Sequence, residues 1–395
     1  MIMTTSCPGA AARLVLILGL LGSISAQANF TFEIGANEGY NGNLFDVANR
    51  VTDYSTSSNA AVRYYPLTSL ELAGTGDYTR YKDTDALSSL SRGLQTTFIP
   101  AQPNAAIALH LQGKFNRQTY KGDSLQRYNT NAWEFMPAVG YQLNPRTHLR
   151  AGATWRFTDY TQTVAGDGVI NSKIEFDMVA GCNINFHGSN ALDVEIGMLQ
   201  TRYDEDTLAE FLNFQELRLD TAVVSYGRRV RTFHFSPVFS RPLGDKTGMN
   251  VTAAYRRFAS GENVIVRGAA SGVLDPLSSL FEGFGVYIEI KTFLIPRLVT
   301  TVGSGYWDKK HLPTEVRKYV PHPVFPDDSL LAYVPTSRED EQLRTFISVQ
   351  MPFPNGFGGF YIEPSATVSY RDNSSPIDYY DYYGWNISVG VSLRR

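Results

Sequence analysis

Six histidines are spread along the chain, and their spacing fits no metal or catalytic site. The sequence contains no His-Glu-x-x-His pattern, no glycine-rich phosphate loop and no nucleophile-elbow motif of the serine hydrolases. Cys7 precedes an amino-terminal apolar run, so Cys182 is the one cysteine of the expected mature chain. A single thiol forms neither an internal disulfide nor a zinc cluster. We therefore expect no metal, no cofactor and no enzyme activity.

The segment His187-Gly188-Ser189-Asn190 is the best local candidate for covalent catalysis. It resembles the His-x-Ser-Asn-Gly segment of outer-membrane phospholipases, which implies a serine nucleophile with histidine as its base. Ala191 replaces the glycine of that segment, and Gly-Ser-Asn is ordinary turn chemistry. We interpret 187–190 as a tight turn.

Charged side chains that alternate with apolar ones are the second feature with chemical consequences. In a water-filled lumen, opposed charges can orient polar solutes, or they can brace the wall as ion pairs. For any one residue the structural role is favoured, whereas the set as a whole indicates a wet interior. The inward-facing candidates are Lys114, Glu134, Arg150, Arg156, Lys173, Glu175, Asp177, Asp193, Glu195, Arg256, Glu289, Lys291 and Glu363.

These charges lie in segments where apolar and polar residues alternate with a period of two, which predicts β-strands with one apolar and one polar face. The clearest segments are 107–118, 133–143, 149–158, 173–186 and 385–393. They are longer than most soluble strands and match the nine to eleven residues that cross a bilayer at a tilt. Several apolar faces begin or end with aromatic residues, as in the girdles of outer-membrane barrels.

Connections between the strands alternate between short and long, which predicts an antiparallel up-and-down barrel with short periplasmic turns and long outer loops. The short turns are 66–68, 100–104, 144–147, 187–190, 242–248, 295–297 and 352–358. The long connections are 39–56, 82–90, 121–129, 159–171, 204–230, 259–280, 309–339 and 371–382. Seven turns and eight loops predict an all-β transmembrane barrel of about sixteen strands with both termini in the periplasm; fourteen and eighteen are the alternatives.

Two of the long connections need comment. Residues 213–226 have strand-like composition, but one further strand there would invert everything that follows, so we interpret 204–230 as a large outer loop, with extension of the tenth strand as an option. Five prolines in 309–339 predict a segment that is neither helix nor regular strand. It could plug or cover the lumen, or lie on the surface against lipopolysaccharide or another protein.

The amino terminus predicts export. Residues 1–28 combine Arg13, the apolar run 14–21 and a small-residue cleavage site, Ala26-Gln27-Ala28, which is typical of a signal peptide. We therefore divide the chain into a signal peptide, 1–28, and a barrel, 29–395. A formal net charge of -3 provides no basic field, so nucleic acid is not an expected partner.

With these features together, the chain resembles bacterial outer-membrane porin-like barrels. The resemblance extends to the opening segments Tyr40-Asn41-Gly42-Asn43-Leu44-Phe45 and Tyr64-Tyr65-Pro66 and to a last strand from Tyr383 to Leu393. The chain departs from such barrels in ending Leu393-Arg394-Arg395, where an aromatic residue is common.

The resemblance implies a place in the outer membrane of a diderm, Gram-negative bacterium and passive transport of small polar solutes. It also implies contact with outer-membrane lipid and lipopolysaccharide, insertion by the barrel assembly machinery, and a homo-oligomer as one assembly state. The alternative function is a non-conducting barrel that serves as a scaffold or as an export partner for a polysaccharide or surface protein.

Overall fold

The computed structural model describes most of the chain after the expected signal peptide. The described residues are 30–43, 52–100, 106–122, 129–160, 169–186, 189–213, 218–261, 280–293, 295–312, 314–321, 329–354, 356 and 359–395. For 169–171, 203–228, 314–335 and 379 nothing is said of side chains. The signal-peptide prediction, 1–28, lies outside the described residues.

Extended segments form almost all of the described chain. The strands are β1 (Phe30–Asn41), β2 (Asp53–Leu67), β3 (Leu70–Tyr81), β4 (Ser89–Phe98), β5 (Ile107–Tyr120), β6 (Thr130–Asn144), β7 (Thr147–Tyr160), β8 (Val169–Asn185), β9 (Ala191–Asn213), β10 (Arg218–Pro242), β11 (Thr247–Ser260), β12 (Phe281–Thr292), β13 (Val299–His311), β14 (Thr314–Pro321), β15 (Ser329–Thr336), β16 (Glu339–Gln350), β17 (Tyr361–Ser374) and β18 (Tyr382–Arg394). Within the described ranges, no helix is long and apolar enough to cross a membrane.

Sixteen of these strands form one closed antiparallel barrel, which confirms the predicted fold class and strand number. Each strand pairs with its neighbours in chain order, except that β13 pairs with β16 and β14–β15 form a separate two-stranded sheet. The barrel closes where β1 pairs with β18, from Glu33 opposite Arg394 to Asn41 opposite Asn386. The amide of Phe32 also donates to the carbonyl of Arg395, so both ends of the barrel chain meet at the end with the short turns.

The outside of the barrel is apolar, because one side of each strand carries the large hydrophobic residues. Leu94 is 66% exposed, Ile107 55% and Trp385 53%, and exposed hydrophobic side chains recur at every second position along most strands. Water would penalise so much exposed apolar area, whereas lipid acyl chains would not. The outer surface is therefore suited to a bilayer.

Aromatic contacts mark both rims of this apolar band. The rings of Tyr40 and Tyr54 lie 5.2 Å apart towards the long loops, and those of Phe30 and Tyr64 lie 4.5 Å apart at the other end. Tyr54 and Tyr64 belong to the same strand, β2, and are ten residues apart. At a rise of ~3.3 Å per residue and a tilt of ~40°, this spacing corresponds to about 25 Å across the membrane. That is the height of the lipid-facing band of outer-membrane barrels.

The prediction of a loop at 204–230 is wrong. β9 and β10 pair continuously from Ala191 opposite Ser240 to Asn213 opposite Arg218. Both strands are extended, not the tenth alone, and at 23 residues β9 has more than twice the length needed to cross a bilayer. In a hairpin, the backbone groups that face the partner strand form hydrogen bonds with it. The β9–β10 pairing can therefore continue beyond the ends of the neighbouring barrel strands.

The prediction that 309–339 contains no regular strand is also wrong. Residues 309–311 complete β13, and β14 pairs with β15 from Thr314 opposite Thr336 to Pro321 opposite Ser329. Both strands of a two-stranded sheet are edge strands, and proline is tolerated where its missing N–H would point away from the partner. Whether this hairpin plugs or covers the lumen stays a prediction.

Fully buried side chains are few among those described, and several of the apolar ones cluster at the long-loop end. Leu280, Phe281, Leu312, Ile377 and Tyr380 are each at most 9% exposed. The last two belong to the connection between β17 and β18, which includes a short 3-10 turn, Asp378–Tyr380. This connection therefore packs against the other residues of the barrel mouth.

The barrel predicts a strict alternation of accessibility along β5. In a Cys182→Ser background, single cysteines at His110 and Gln112 should react with a charged, membrane-impermeant maleimide in lipid vesicles. Cysteines at Leu109 and Leu111 should be protected, because their side chains share the lipid-facing parity of Ile107. Equal labelling at all four positions would contradict this register.

Candidate functional site

The inner wall of the barrel holds the charges that alternate with the apolar residues. All thirteen candidates occupy the strand parity opposite to the exposed hydrophobic residues of their own strands. On β6, for example, Glu134 lies between Trp133 and Phe135, which are 43% and 49% exposed on the outside. The structure brings eight of these residues into two ion-pair groups on β5–β9, places Asp177 and Arg256 beside His234, and places the other three near the short-turn rim.

The first group is a row of alternating charge across β5–β8. Cross-strand register puts Lys114 opposite Glu134, Glu134 opposite Arg156, and Arg156 opposite Glu175. Lys114 Nζ lies 3.2 Å from Glu134 Oε1, and Arg156 Nε donates to Glu134 Oε2 at 2.7 Å. Arg156 also reaches Glu175 at 3.4 Å, and Lys173 lies 2.8 Å from the same carboxylate. Each carboxylate in the row is therefore held between two cations.

The second group is centred on Arg150 of β7. Its guanidinium lies 2.7 Å from Asp193 Oδ1 and 3.1 Å from Glu195 Oε2, both on β9. To reach β9, the side chain crosses β8 above Gly181, where an added Cβ would lie 2.9 Å from the guanidinium carbon. A side chain at this crossing point would displace the Arg150 guanidinium, so the glycine leaves the path to β9 open.

The same arrangement recurs one strand further on. His234 of β10 lies 3.0 Å from Asp177 of β8 and crosses β9 above Gly197, where a Cβ would collide with the imidazole. In register, His234 stands opposite Arg256 of β11, whose guanidinium carbon lies 4.9 Å from the ring centre of Phe281. The sequence analysis identified Asp177 and Arg256 but not His234, which joins them.

Three remaining candidates stand nearer the short-turn rim. Tyr287 donates to Glu289 at 3.4 Å, and Tyr361 donates to Glu363 at 2.6 Å. The ammonium of Lys291 lies 5.6 Å from the ring centre of Phe293. These contacts are local, so the three residues do not join the two groups on β5–β9.

A buried polar cluster at the long-loop end was not expected from the sequence. Asp340, fully buried, accepts from Arg338 Nε at 2.9 Å and lies 3.3 Å from His311 Nε2. The guanidinium of Arg338 stacks 3.5 Å from the ring centre of Tyr380, and Asn373 Nδ2 donates to the Tyr380 carbonyl at 2.8 Å. These contacts anchor the β17–β18 connection to Arg338, which directly precedes β16, and to Asn373 of β17.

A basic residue continues this cluster along the wall. Lys309 of β13 donates to Gln342 at 2.8 Å and lies 4.9 Å from the ring centre of Phe281. Phe281 therefore lies between two cations, Lys309 and Arg256. No sequence signal identified Lys309, because its importance depends on neighbours from β11, β12 and β16.

The connection between β3 and β4 is fastened in a similar way. Asp53 accepts hydrogen bonds from the backbone amides of Asp83 at 3.0 Å and Thr84 at 2.7 Å. Beyond the strand ends, Lys121 pairs with Asp85, and this hydrogen bond holds the pKa of the Asp85 carboxyl below its ordinary value. The β3–β4 connection is thus held by Asp53 of β2 and by Lys121, which follows β5.

The turn that was weighed as a catalytic segment joins β8 to β9 at the short-turn end. His187 and Gly188 lie outside the described residues, and Ser189 has a left-handed φ of 62°. This conformation is typical of turns. Among the described residues, no group of three or more histidine, cysteine or acidic side chains could hold a metal ion.

Comparison with known proteins gives similar barrels at low identity. The outer membrane protein OpdK of Pseudomonas aeruginosa is 10% identical over 93% of this chain and 99% of its own, with a TM-score of 0.43. OccK8 (OprE) of the same organism is 9% identical over 94% of this chain and 98% of its own, with a TM-score of 0.47. The siderophore receptor PirA, also from that organism, is 9% identical over 93% and 81%, with a TM-score of 0.38. No protein-family description and no curated protein matches the sequence.

The buried cluster predicts a large loss of stability on Asp340→Ala. Removing the carboxylate leaves Arg338 buried without its counter-charge, which typically costs about 3 kcal/mol or more. The midpoint of urea unfolding in lipid vesicles, followed by tryptophan fluorescence, should fall clearly. Glu339→Ala is the matched control, because Glu339 is the adjacent acid but is exposed. An equal fall in both variants would contradict a specific role for the cluster.

Proposed function

We propose that the protein is an outer-membrane channel for passive diffusion of small polar solutes. One observation carries the proposal: charged groups on the inner wall remain open to water. The side chains of Arg156 and Lys114 are 46% and 40% exposed, and those of Arg150, Asp193 and Glu195 are about one third exposed. A dry, packed interior would bury such groups, whereas a hydrated lumen leaves them exposed at low cost.

The dimensions of the barrel support the same function. A closed barrel of sixteen strands is wide enough for an aqueous lumen, whereas eight strands are filled by their own side chains. The apolar outer band and its aromatic rims suit the wall to a bilayer of ordinary outer-membrane thickness. Location in the outer membrane, after export with a cleaved signal peptide, belongs to this proposal.

The pattern of ion pairs favours polar solutes over simple ions. In the row from Lys114 to Glu175 each charge has an opposite neighbour, so the wall offers local dipoles instead of a field of one sign. Such a wall can orient a solute that carries both donors and acceptors, and it weakens the discrimination between cations and anions. We therefore expect weak ion selectivity in the native channel.

Stepwise conductance in planar bilayers tests the function directly. The purified, refolded protein should produce discrete current steps in potassium chloride, because water-filled lumens conduct ions even when their natural solutes are neutral. A mock preparation refolded from the same detergent without the protein is the control. Conductance that does not exceed this control would overturn the channel and leave the non-conducting scaffold or export partner as the remaining interpretation.

The Arg150 group predicts how selectivity can be changed. Arg150→Gln removes the cation that neutralises Asp193 and Glu195, so the wall gains net negative charge and the reversal potential in a salt gradient should shift towards cation preference. Arg297→Gln changes the same type of charge in an exposed turn at the short-turn end and is the matched control. The role of this group in the lumen would be refuted by identical reversal potentials for Arg150→Gln and the native protein.

A further inference from the structure

Two arginines stand side by side on the outer wall of the barrel. Arg92 of β4 lies directly opposite Arg117 of β5, in a stretch of regular register. Arg92 shares its strand parity with Leu94, and Arg117 shares its parity with Leu109 and Leu111, so both arginines face the lipid side. Both residues are exposed.

Like charges in directly opposed cross-strand positions repel each other and destabilise a sheet. Among the residues that the structure describes, neither Arg92 nor Arg117 forms an ion pair. Along their register row on the outer face, Asn131 follows Arg117, and the first carboxylate, Asp159, stands two strands away. The pair therefore lacks a neutralising anion from the described protein and presents two guanidinium groups to one external site.

The height of the pair on the wall indicates where that anion would come from. Arg117 lies two residues beyond Phe115 towards the long loops. Phe115 belongs to an aromatic ladder in which its ring lies 5.4 Å from that of Trp133, which in turn lies 5.5 Å from Phe157. Arg92 and Arg117 are each the fourth residue from the long-loop end of their strand, which puts them near the headgroup level on the long-loop side of a barrel inserted in the membrane.

An apolar groove begins directly below the arginines. It has a volume of about 600 Å³. Its lining includes Leu94, Thr96, Gly113, Phe115, Trp133 and Phe135. A Cβ built on Gly113 would meet no atom within 4 Å, so the glycine leaves open space along the floor. Gly76 of β3 lies opposite Arg92 and leaves similar open space beside the two guanidinium groups.

We propose that this surface is a binding site for one phosphorylated glycolipid of the outer leaflet, the lipid A part of lipopolysaccharide. Arg92 and Arg117 bind a phosphate of the sugar headgroup, since guanidinium groups match phosphate oxygens in bidentate geometry. One acyl chain lies in the groove over Gly113, against the rings of Trp133 and Phe135. The proposal rests on insertion in the outer membrane, which the proposed function also assumes, but not on conduction.

Native mass spectrometry of the folded, detergent-purified protein tests the site. The probes are lipid A with both phosphates, the same lipid A with its phosphates removed, and phosphatidylglycerol. The native protein should retain one bound lipid A. At about 1 kcal/mol per basic residue, loss of both guanidinium charges in R92Q/R117Q should weaken binding roughly thirtyfold, and so should removal of the phosphates. Phosphatidylglycerol should bind more weakly than intact lipid A.

Two further variants separate the parts of the site. Gly113→Leu fills the floor of the groove. It should weaken the binding of lipid A, while the protein should still bind the phosphorylated form more tightly than the form without phosphates. Arg297→Gln, at the opposite end of the barrel, is the charge-matched control and should bind as the native protein does. Heat-dependent mobility on gels verifies that each variant is folded.

Several outcomes would overturn the site. These are equal binding by the native protein and R92Q/R117Q, equal binding with and without phosphates, or equal weakening in Arg297→Gln. Equal retention of phosphatidylglycerol would overturn the assignment to a glycolipid in favour of a general anionic lipid surface. Bilayer conductance, measured on the same preparations, should be unchanged in R92Q/R117Q. A native protein that binds lipid A without conducting would overturn the channel and leave the lipid site intact.

Discussion

Every backbone N–H and C=O within a bilayer must find its hydrogen-bond partner inside the protein, and this constraint governs the whole structure. A sheet meets it only by closing, which here happens where β1 pairs with β18. Closure in turn assigns each residue of each strand to one of two faces. The outer face carries aliphatic and aromatic side chains, which suit it to lipid, and the inner face can carry charges only if water or opposite charges accompany them.

The inner wall meets that condition by pairing charges across two or more strands. Arg150 and His234 each cross a neighbouring strand to reach a carboxylate, and each crosses above a glycine. The missing side chain is what allows the contact, since a Cβ at either glycine would occupy the path. Ion pairs of this kind connect neighbouring strands, and the side chains of the Arg150 group stay about one third exposed, so the same groups can stabilise the wall and face a hydrated lumen.

The two ends of the barrel differ in how their connections are held. At the short-turn end, the described turns are short, and Phe32 is hydrogen-bonded to Arg395. At the other end, Arg338, which is paired with Asp340, and Asn373 hold the β17–β18 connection at Tyr380, and Asp53 holds the β3–β4 connection. The outer surface near that end changes from aromatic rings to the Arg92 and Arg117 pair, which is the change from acyl chains to headgroups expected at a membrane interface.

Much of the fold could be predicted from the sequence, because a period of two needs no knowledge of distant contacts. The number of barrel strands, and the apolar side of the five clearest segments, were predicted in this way. The two wrong predictions, at 204–230 and 309–339, both concern two-stranded hairpins: β9 and β10 continue to pair beyond the ends of β8 and β11, and β14 and β15 form a sheet separate from the barrel. The strand-like residues of 213–226 and the prolines of 309–339 were both recognised. Neither feature revealed that two strands can pair with each other alone, without a further strand on either side.

The sequence by itself determined the two-residue alternation along its clearest strands, and from it thirteen charged residues were predicted to face inward. Only the tertiary structure decided which of them meet. Arg150 pairs with residues more than forty positions away, and Arg338, the partner of Asp340, stacks on Tyr380, which also follows it by more than forty positions. The physical reason is that parity is a local property of one strand, whereas register between strands is set by turns, glycine crossings and closure of the whole barrel.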